Sequence, residues 1–204
     1  MKRSLSLLLG ALLFVSVFFR STDAHALGPI EAEVGARLGY ATNPDSNIAN
    51  PLGTDIGIRG GLELFHKVYV GGNMQYYFGS SVNTPLSGPG TDGSVSTHTF
   101  MLGFEAGYSI HVSLLTIRPQ LGIGDASLTT LGTINPTPIT GTTLNNYTQT
   151  NTRLYLEPGV VALINVGLLY VGADANILVI TDANSQDGNA YTSFAFGGQA
   201  GLRF

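Results

Sequence analysis

The chain has 204 residues, no cysteine and 27 glycines, and only 11% of its residues are charged, with a formal net charge of −4 at pH 7. This length predicts a single domain, and the acidic balance excludes a basic surface for nucleic acid. Few charges together with a positive mean hydropathy fit neither a disordered chain nor a typical soluble enzyme.

The amino end has the pattern of a secretory signal peptide. Two basic residues precede an apolar run over residues 5–19, and Ala24 and Ala26 place small side chains where a signal peptidase reads them. The apolar run is short for a membrane anchor. We therefore predict that residues 1–26 are a cleaved signal helix and that residues 27–204 form the exported domain.

Eight segments of alternating apolar and polar residues follow, each about long enough to cross a bilayer as a tilted strand. In chain order they cover residues 30–40, 54–65, 68–78, 100–108, 115–123, 154–164, 169–177 and 193–204. In the last segment, Phe194 and Phe196 lie on the apolar face, and Gln199 and Arg203 lie on the other.

The connections between these segments alternate between long and short. The long ones are predicted at residues 41–53, 79–96, 125–152 and 181–190. Long loops at one rim and tight turns at the other are typical of outer-membrane barrels, in which the long loops are extracellular.

Charge separates the two faces of the predicted strands. The outward faces carry no charged residue. The inward faces hold Glu31, Glu33, Arg37, Arg59, Glu63, Glu105, Arg118, Glu157, Asp174 and Arg203. An Arg or Lys facing lipid at mid-membrane costs about 2–4 kcal/mol, whereas a soluble ligand carrier has the opposite polarity. The sequence therefore predicts an all-β fold, an eight-stranded antiparallel up-and-down transmembrane β-barrel.

Pairing inside the lumen follows from the order of the strands. Glu33 and Arg37 would face Arg59 and Glu63 of the next strand, which predicts an ion-paired lumen. The last strand closes against the first, so that Glu31 or Glu33 is the predicted neighbour of Arg203.

Glycine and proline modify this interior. Many inward positions are glycine, Gly103 and Gly197 among them, which predicts water pockets in the lumen. Pro119 and Pro158 lie inside strands, where each removes a ladder donor, and they predict bulges or a strained seam.

The alternating strands, the tight turns and the terminal Leu202-Arg203-Phe204 resemble the small eight-stranded outer-membrane barrels of the OmpA/OmpX type. The resemblance implies an outer-membrane location with both mature termini in the periplasm, and Phe204 as part of the assembly signal. It implies outer-membrane lipid and lipopolysaccharide as partners, with the barrel-assembly machinery and periplasmic chaperones acting during biogenesis. Such motifs specify architecture far better than activity.

The predicted function is envelope-structural or surface-interacting, without enzymatic activity or cofactor. Eight strands enclose a space that side chains can fill, which predicts a polar, largely plugged lumen. A narrow pore for small solutes is the alternative. An extracellular ligand would bind the long acidic loops, because loops on a rigid scaffold commonly carry function.

A lipid A-modifying enzyme is the rival class, since eight-stranded deacylases use a His-x-Ser pair with a nearby acid. His111-Val112-Ser113 has this spacing, but the strand order places it in a periplasmic turn with no acid close in sequence. A polar turn without catalytic residues is the favoured interpretation.

Metal binding is not predicted. Asp182, Asn184 and Asp187 resemble a calcium loop, but the spacing is too long and the closing Glu is missing. His66 and His98 have no partner at ligand spacing in the sequence.

Overall fold

The structure is a computed structural model that describes residues 30–42, 50–85, 92–135, 145–181 and 190–204. The predicted signal peptide, residues 1–26, lies outside the described residues. The strands are β1 (Ile30–Ala41), β2 (Gly53–Leu64), β3 (Val68–Tyr77), β4 (Ser81–Pro85), β5 (Asp92–Tyr108), β6 (Ile110–Val112), β7 (Leu115–Asn135), β8 (Asn145–Val166), β9 (Leu169–Ile180) and β10 (Tyr191–Arg203). Within these ranges no helix is long and apolar enough to cross a membrane.

Backbone pairing closes these strands into a barrel. Because β4 continues β3 and β6 continues β5, the ten segments form eight antiparallel strands. β5 pairs with β7, and β1 pairs with β10, which closes the ring. Phe204 extends the closing pair, since its amide donates to Ala32 at 2.9 Å and its carbonyl accepts from Ala32 at 2.7 Å. The predicted eight-stranded antiparallel barrel is confirmed.

Two of the predicted long loops are wrong in their extent. β4 and the first residues of β5 lie within predicted loop 79–96, and β7 and β8 run far into predicted loop 125–152. Beyond the barrel these strands pair as one sheet in the order β4-β5-β7-β8, here called the projecting sheet. The sequence does not predict the projecting sheet, because Ser and Thr occupy both faces of its strands and no apolar alternation marks them.

The other two predicted loops, 41–53 and 181–190, lie mostly outside the described residues. Ala41 belongs to β1, and Gly53 begins β2.

Tight turns connect the strands at the opposite end of the barrel. In the turn between β2 and β3, Phe65 has φ 55° and His66 has φ 53°. The amide of Lys67 donates to the carbonyl of Leu64 at 3.0 Å, which closes a β-turn with Phe65 and His66 at its centre. Positive φ at both central residues matches the right-handed twist of the flanking strands.

Pro119 and Pro158 lie where the hydrogen-bonded ladder is interrupted. Pro119 lies in the gap where pairing with β7 stops at Gly107 and Gln120 and resumes at Ile110 and Ile117. At Pro158, the pairing of β8 with β9 stops after Leu156 and resumes at Gly159, while the pairing with β7 continues. The strands contribute equal numbers of residues across each gap, so the predicted bulges are wrong. The amide donors that the two prolines lack therefore do not shift the register of the strands.

The exterior of the barrel is apolar, and the charged side chains lie in the lumen. Phe104 on the outside exposes 73% of its surface, whereas Arg118 inside exposes 0%. Exposed aromatic side chains flank the apolar exterior near both ends: Tyr40, Phe78, Phe100 and Phe194 towards the projecting sheet, and Phe65, Tyr108 and Phe204 towards the tight turns.

Candidate functional site: the lumen of the barrel

The polar side chains of the lumen form three clusters, each centred on an arginine. Arg37 lies nearest the projecting sheet, Arg59 lies in the middle, and Arg118 lies nearest the tight turns. Each guanidinium is at least nine-tenths buried, so its charge requires partners inside the barrel.

The Arg37 cluster joins three strands. Arg37 Nε donates to both carboxylate oxygens of Asp174 at 3.1 Å, and its Nη2 donates to Asp174 Oδ1 at 2.8 Å. Nη1 donates to Asp55. Asn176 Nδ2 also donates to Asp174 Oδ1, at 2.8 Å. One guanidinium therefore pairs with two buried carboxylates through the charge-assisted geometry that arginine favours.

The Arg59 cluster spans the centre of the lumen. Arg59 Nη2 donates to Glu105 and, at 3.0 Å, to Gln120 Oε1, while Nη1 donates to Gln199 Oε1 at 3.1 Å. Asn73 Nδ2 donates to the other oxygen of Glu105 at 2.7 Å. These bonds connect the side chains of five strands.

The Arg118 cluster fills the tight-turn end. Arg118 donates to Glu33 Oε2 at 2.9 Å, to Glu63 Oε2 at 3.1 Å and to Ser109 Oγ at 3.0 Å. Its guanidinium also lies 4.0 Å from the centre of the Tyr69 ring. Arg203 donates to Glu63 Oε1 at 2.7 Å and to Glu31.

The structure brings the predicted lumen residues together, but in different pairs from those expected. Glu31 and Arg203 are only partly buried, whereas the other eight are buried: Glu33, Arg37, Arg59, Glu63, Glu105, Arg118, Glu157 and Asp174. Arg37 binds Asp55 and Asp174, and Glu33 binds Arg118 across the lumen, because an extended arginine reaches beyond the adjacent strand. Arg203 does bind Glu31, one of its two predicted neighbours, although the closing register places it opposite Glu33.

At the end nearest the projecting sheet the lumen is apolar, which the prediction of a polar lumen missed. This group of buried side chains, here called the apolar cap, comprises Ala41, Leu52, Tyr77, Met101, Ala126, Tyr155, Leu178, Ile180 and Ala195. Tyr77 and Leu178 occupy the same inward phase as the polar residues of their strands, so the alternation already contained the signal. Asp55 also has the inward phase of β2 and is buried.

Inward glycines make room for long side chains. A Cβ atom at Gly197 would lie 2.6 Å from Arg37 Nε and 2.7 Å from its Cζ, and one at Gly103 would collide with the Tyr155 hydroxyl. The prediction of water pockets at these glycines is wrong, because neighbouring side chains lie over them.

Gly197→Ala is expected to destabilise the barrel by about 1–3 kcal/mol, since the methyl group displaces the Arg37 guanidinium from its carboxylates. The adjacent Gly198 is the matched control. It faces outward, and its Cβ position has only one neighbouring atom, at 3.9 Å. Urea unfolding in lipid vesicles measures both variants, and equal midpoints would contradict this packing argument.

His111 does not form the catalytic pair that the rival enzyme would need. Its Nε2 lies 2.8 Å from Glu63 Oε1 and its Nδ1 lies 2.9 Å from Thr116 Oγ1. Both ring nitrogens are thus engaged by groups other than Ser113, which lies in the turn with φ 57°.

His66 has acidic neighbours that the sequence did not reveal. Its Nδ1 lies 2.8 Å from Glu31 Oε1, and ligand atoms of Glu31, Glu63 and His66 lie within 4.8 Å of one another. Arg203 already binds both carboxylates, so within the described residues this group is an ion-paired cluster. The predicted acidic loop with Asp182 and Asp187 lies outside the described residues.

Comparison with solved structures identifies the fold. A major outer membrane protein from Thermus thermophilus superposes with a TM-score of 0.57 and 15% identity, covering 86% of this chain and 99% of that one. The chain has the fold of an outer-membrane β-barrel. The exposed apolar belt of the barrel, with Leu38, Leu102 and Phe104, corresponds in position to the lipid-facing surface of that fold.

Two further outer-membrane barrels match with lower scores. The N-terminal barrel domain of Pseudomonas aeruginosa OprF has a TM-score of 0.46 and 11% identity over 85% of this chain and 97% of that one. Ail, the attachment invasion locus protein of Yersinia pestis, has a TM-score of 0.44 and 13% identity over 86% and 97%. No protein-family model and no curated protein sequence matches the chain.

Proposed function

We propose that the chain is an integral outer-membrane protein with a closed lumen that presents the projecting sheet at the cell surface, in an envelope-structural or surface-interaction role. The apolar cap is the observation that carries this proposal. It lies across one end of the lumen, directly beyond the Arg37 cluster.

Two barriers in series support a closed lumen. A hydrated ion entering from the sheet end would first have to displace buried apolar side chains, of which Tyr77 and Met101 expose 0%. It would then have to separate the Arg37 and Arg59 ion pairs, which fill the space beneath. Both steps are costly, because they desolvate the ion or leave buried charges without partners.

The two ends of the barrel suggest its orientation. Tight turns are periplasmic and long hairpins extracellular in barrels of this kind. The turn at Phe65 and His66 would then face the periplasm, together with both mature termini, and the projecting sheet would face the medium.

The projecting sheet supplies the surface for interaction. Ser127 pairs with Thr152, and Thr129 pairs with Thr150, each through hydroxyl oxygens 3.1 Å apart. These cross-strand hydroxyl pairs stiffen the hairpin of β7 and β8. A rigid hairpin carrying exposed polar side chains suits contact with lipopolysaccharide sugars or an extracellular ligand.

The purified protein is expected to give no steady ion current after insertion into planar lipid bilayers, because the apolar cap and the ion pairs occlude the lumen. Steady single-channel currents would contradict the closed lumen and favour a narrow pore for small solutes.

Single introduced cysteines test the insertion and orientation of the protein in cells, because the natural chain has no cysteine. Thr148→Cys in the projecting sheet should react with a membrane-impermeant maleimide on intact cells. Lys67→Cys at a tight turn is the matched control, since both positions are exposed and it should react only after the outer membrane is permeabilised. The reverse labelling pattern would overturn the orientation.

A further inference from the structure

Glu157 is a buried carboxylate without a hydrogen-bond partner. It exposes 2% of its surface, and neither Oε1 nor Oε2 has a donor within the described residues. The other buried carboxylates of the lumen each bind an arginine; these are Glu33, Asp55, Glu63, Glu105 and Asp174.

A glycine lies opposite this carboxylate on the adjacent strand. Glu157 lies opposite Gly122 of β7, and Gly122 lies opposite Glu105 of β5. Oε2 of Glu157 lies 3.7 Å from a Cβ position at Gly122. The two carboxylates therefore occupy the same level of the barrel on either side of a glycine.

A second buried acceptor without a partner lies over the next inward position of β8. Asn176 lies opposite Gly159, two residues along β8 from Glu157, and its Oδ1 occupies the space that a side chain at Gly159 would take. The amide nitrogen of Asn176 is bound to Asp174, which fixes the orientation of the oxygen. Asn176 Oδ1 has no donor among the described residues.

The charge of this part of the lumen is not balanced by the protein. Two arginines, Arg37 and Arg59, face four carboxylates: Asp55, Glu105, Glu157 and Asp174. Water could satisfy the lone pairs of Glu157, but it would leave the net negative charge in a region of low dielectric constant.

We propose that Glu157 and Asn176 bind a small monovalent cation of the sodium or potassium class inside the lumen. Carboxylate and amide oxygens are the hard ligands that such cations prefer. A single carboxylate with a neutral oxygen suits one positive charge, and water completes the coordination. The bound cation would give Glu157 a positive partner and reduce the net negative charge of this part of the lumen by one.

Stability of the full-length barrel in lipid vesicles tests the site. In sodium or potassium chloride the unfolding equilibrium constant should fall up to tenfold for each tenfold rise in salt near saturation. N-methylglucamine chloride at equal ionic strength should not reproduce this, because the organic cation is too large. Glu157→Gln should remove the difference between the salts while preserving the shape of the side chain.

Glu31→Gln is the matched control, since Glu31 is partly exposed and already bound by Arg203. It should keep the response to sodium and potassium. Equal stability of the wild-type protein in the two kinds of salt, or a response to pH alone, would overturn the proposal. So would a Glu157→Gln variant that retains the full cation response, because the ion would then bind elsewhere.

Discussion

Arg37→Met is expected to destabilise the barrel by about 3–5 kcal/mol, because it leaves two buried carboxylates without their common partner. The side chains of Arg37 and Asp174 expose 2% and 0%, so water cannot replace the lost bonds without entering the lumen. Asp55 loses its arginine in the same substitution. Urea unfolding in lipid vesicles measures the loss.

A variant that neutralises the whole cluster separates lost pairing from lost packing. Arg37→Met combined with Asp55→Asn and Asp174→Asn removes all three charges while retaining most of their volume. Much of the lost stability should return, because neutralising a complete buried cluster is far less costly than removing one member. A triple variant no more stable than Arg37→Met alone would show that packing, not charge, dominates at this site.

Most of the barrel could be predicted from the sequence, because lipid imposes a simple rule on every strand. A side chain facing hydrocarbon must be apolar, and the next one faces the lumen. The alternation therefore assigned Arg37, Glu105 and Arg118 to the lumen without any knowledge of their contacts. Closure of the ring likewise predicted Glu31 or Glu33 as the neighbour of Arg203, and Arg203 binds Glu31.

The pairing inside the lumen could not be predicted in the same way. Alternation gives the direction of a side chain but not its reach, and arginine extends past the adjacent strand. Arg118 thus binds Glu33, 85 positions away in the chain, and Arg37 binds Asp174, 137 positions away. Such pairs depend on the diameter of the barrel and on glycines such as Gly197, over which the guanidinium lies.

The projecting sheet could not be predicted from the sequence for the opposite reason. Where both faces of a strand meet water, neither has to be apolar, and the period of two disappears from the sequence. Thr129 and Thr150 pair across a regular hairpin in a region whose composition is that of a loop. Alternation could not predict the apolar cap, because Tyr77 and Leu178 share the inward phase of polar residues such as Gln75 and Asp174.

Phe104→Arg is expected to cost about 2–4 kcal/mol more than Phe104→Ala in lipid vesicles, because the guanidinium would face hydrocarbon near mid-membrane. Phe104 exposes 73% of its surface and lies midway between the rim aromatics Phe100 and Tyr108 on β5. The comparison with alanine removes the contribution of the lost ring, so that the remaining difference reports the surroundings of the side chain.

Thr148→Arg provides the matched control on the same outward face, because Thr148 is exposed on the projecting sheet. An arginine there should change the free energy of unfolding by less than about 0.5 kcal/mol, as is usual for water-exposed surfaces. If Phe104→Arg were equally neutral, the apolar belt would face water, and the protein could not span a membrane. A large cost at Phe104 with none at Thr148 would instead locate the boundary of the bilayer between these two positions of one continuous sheet.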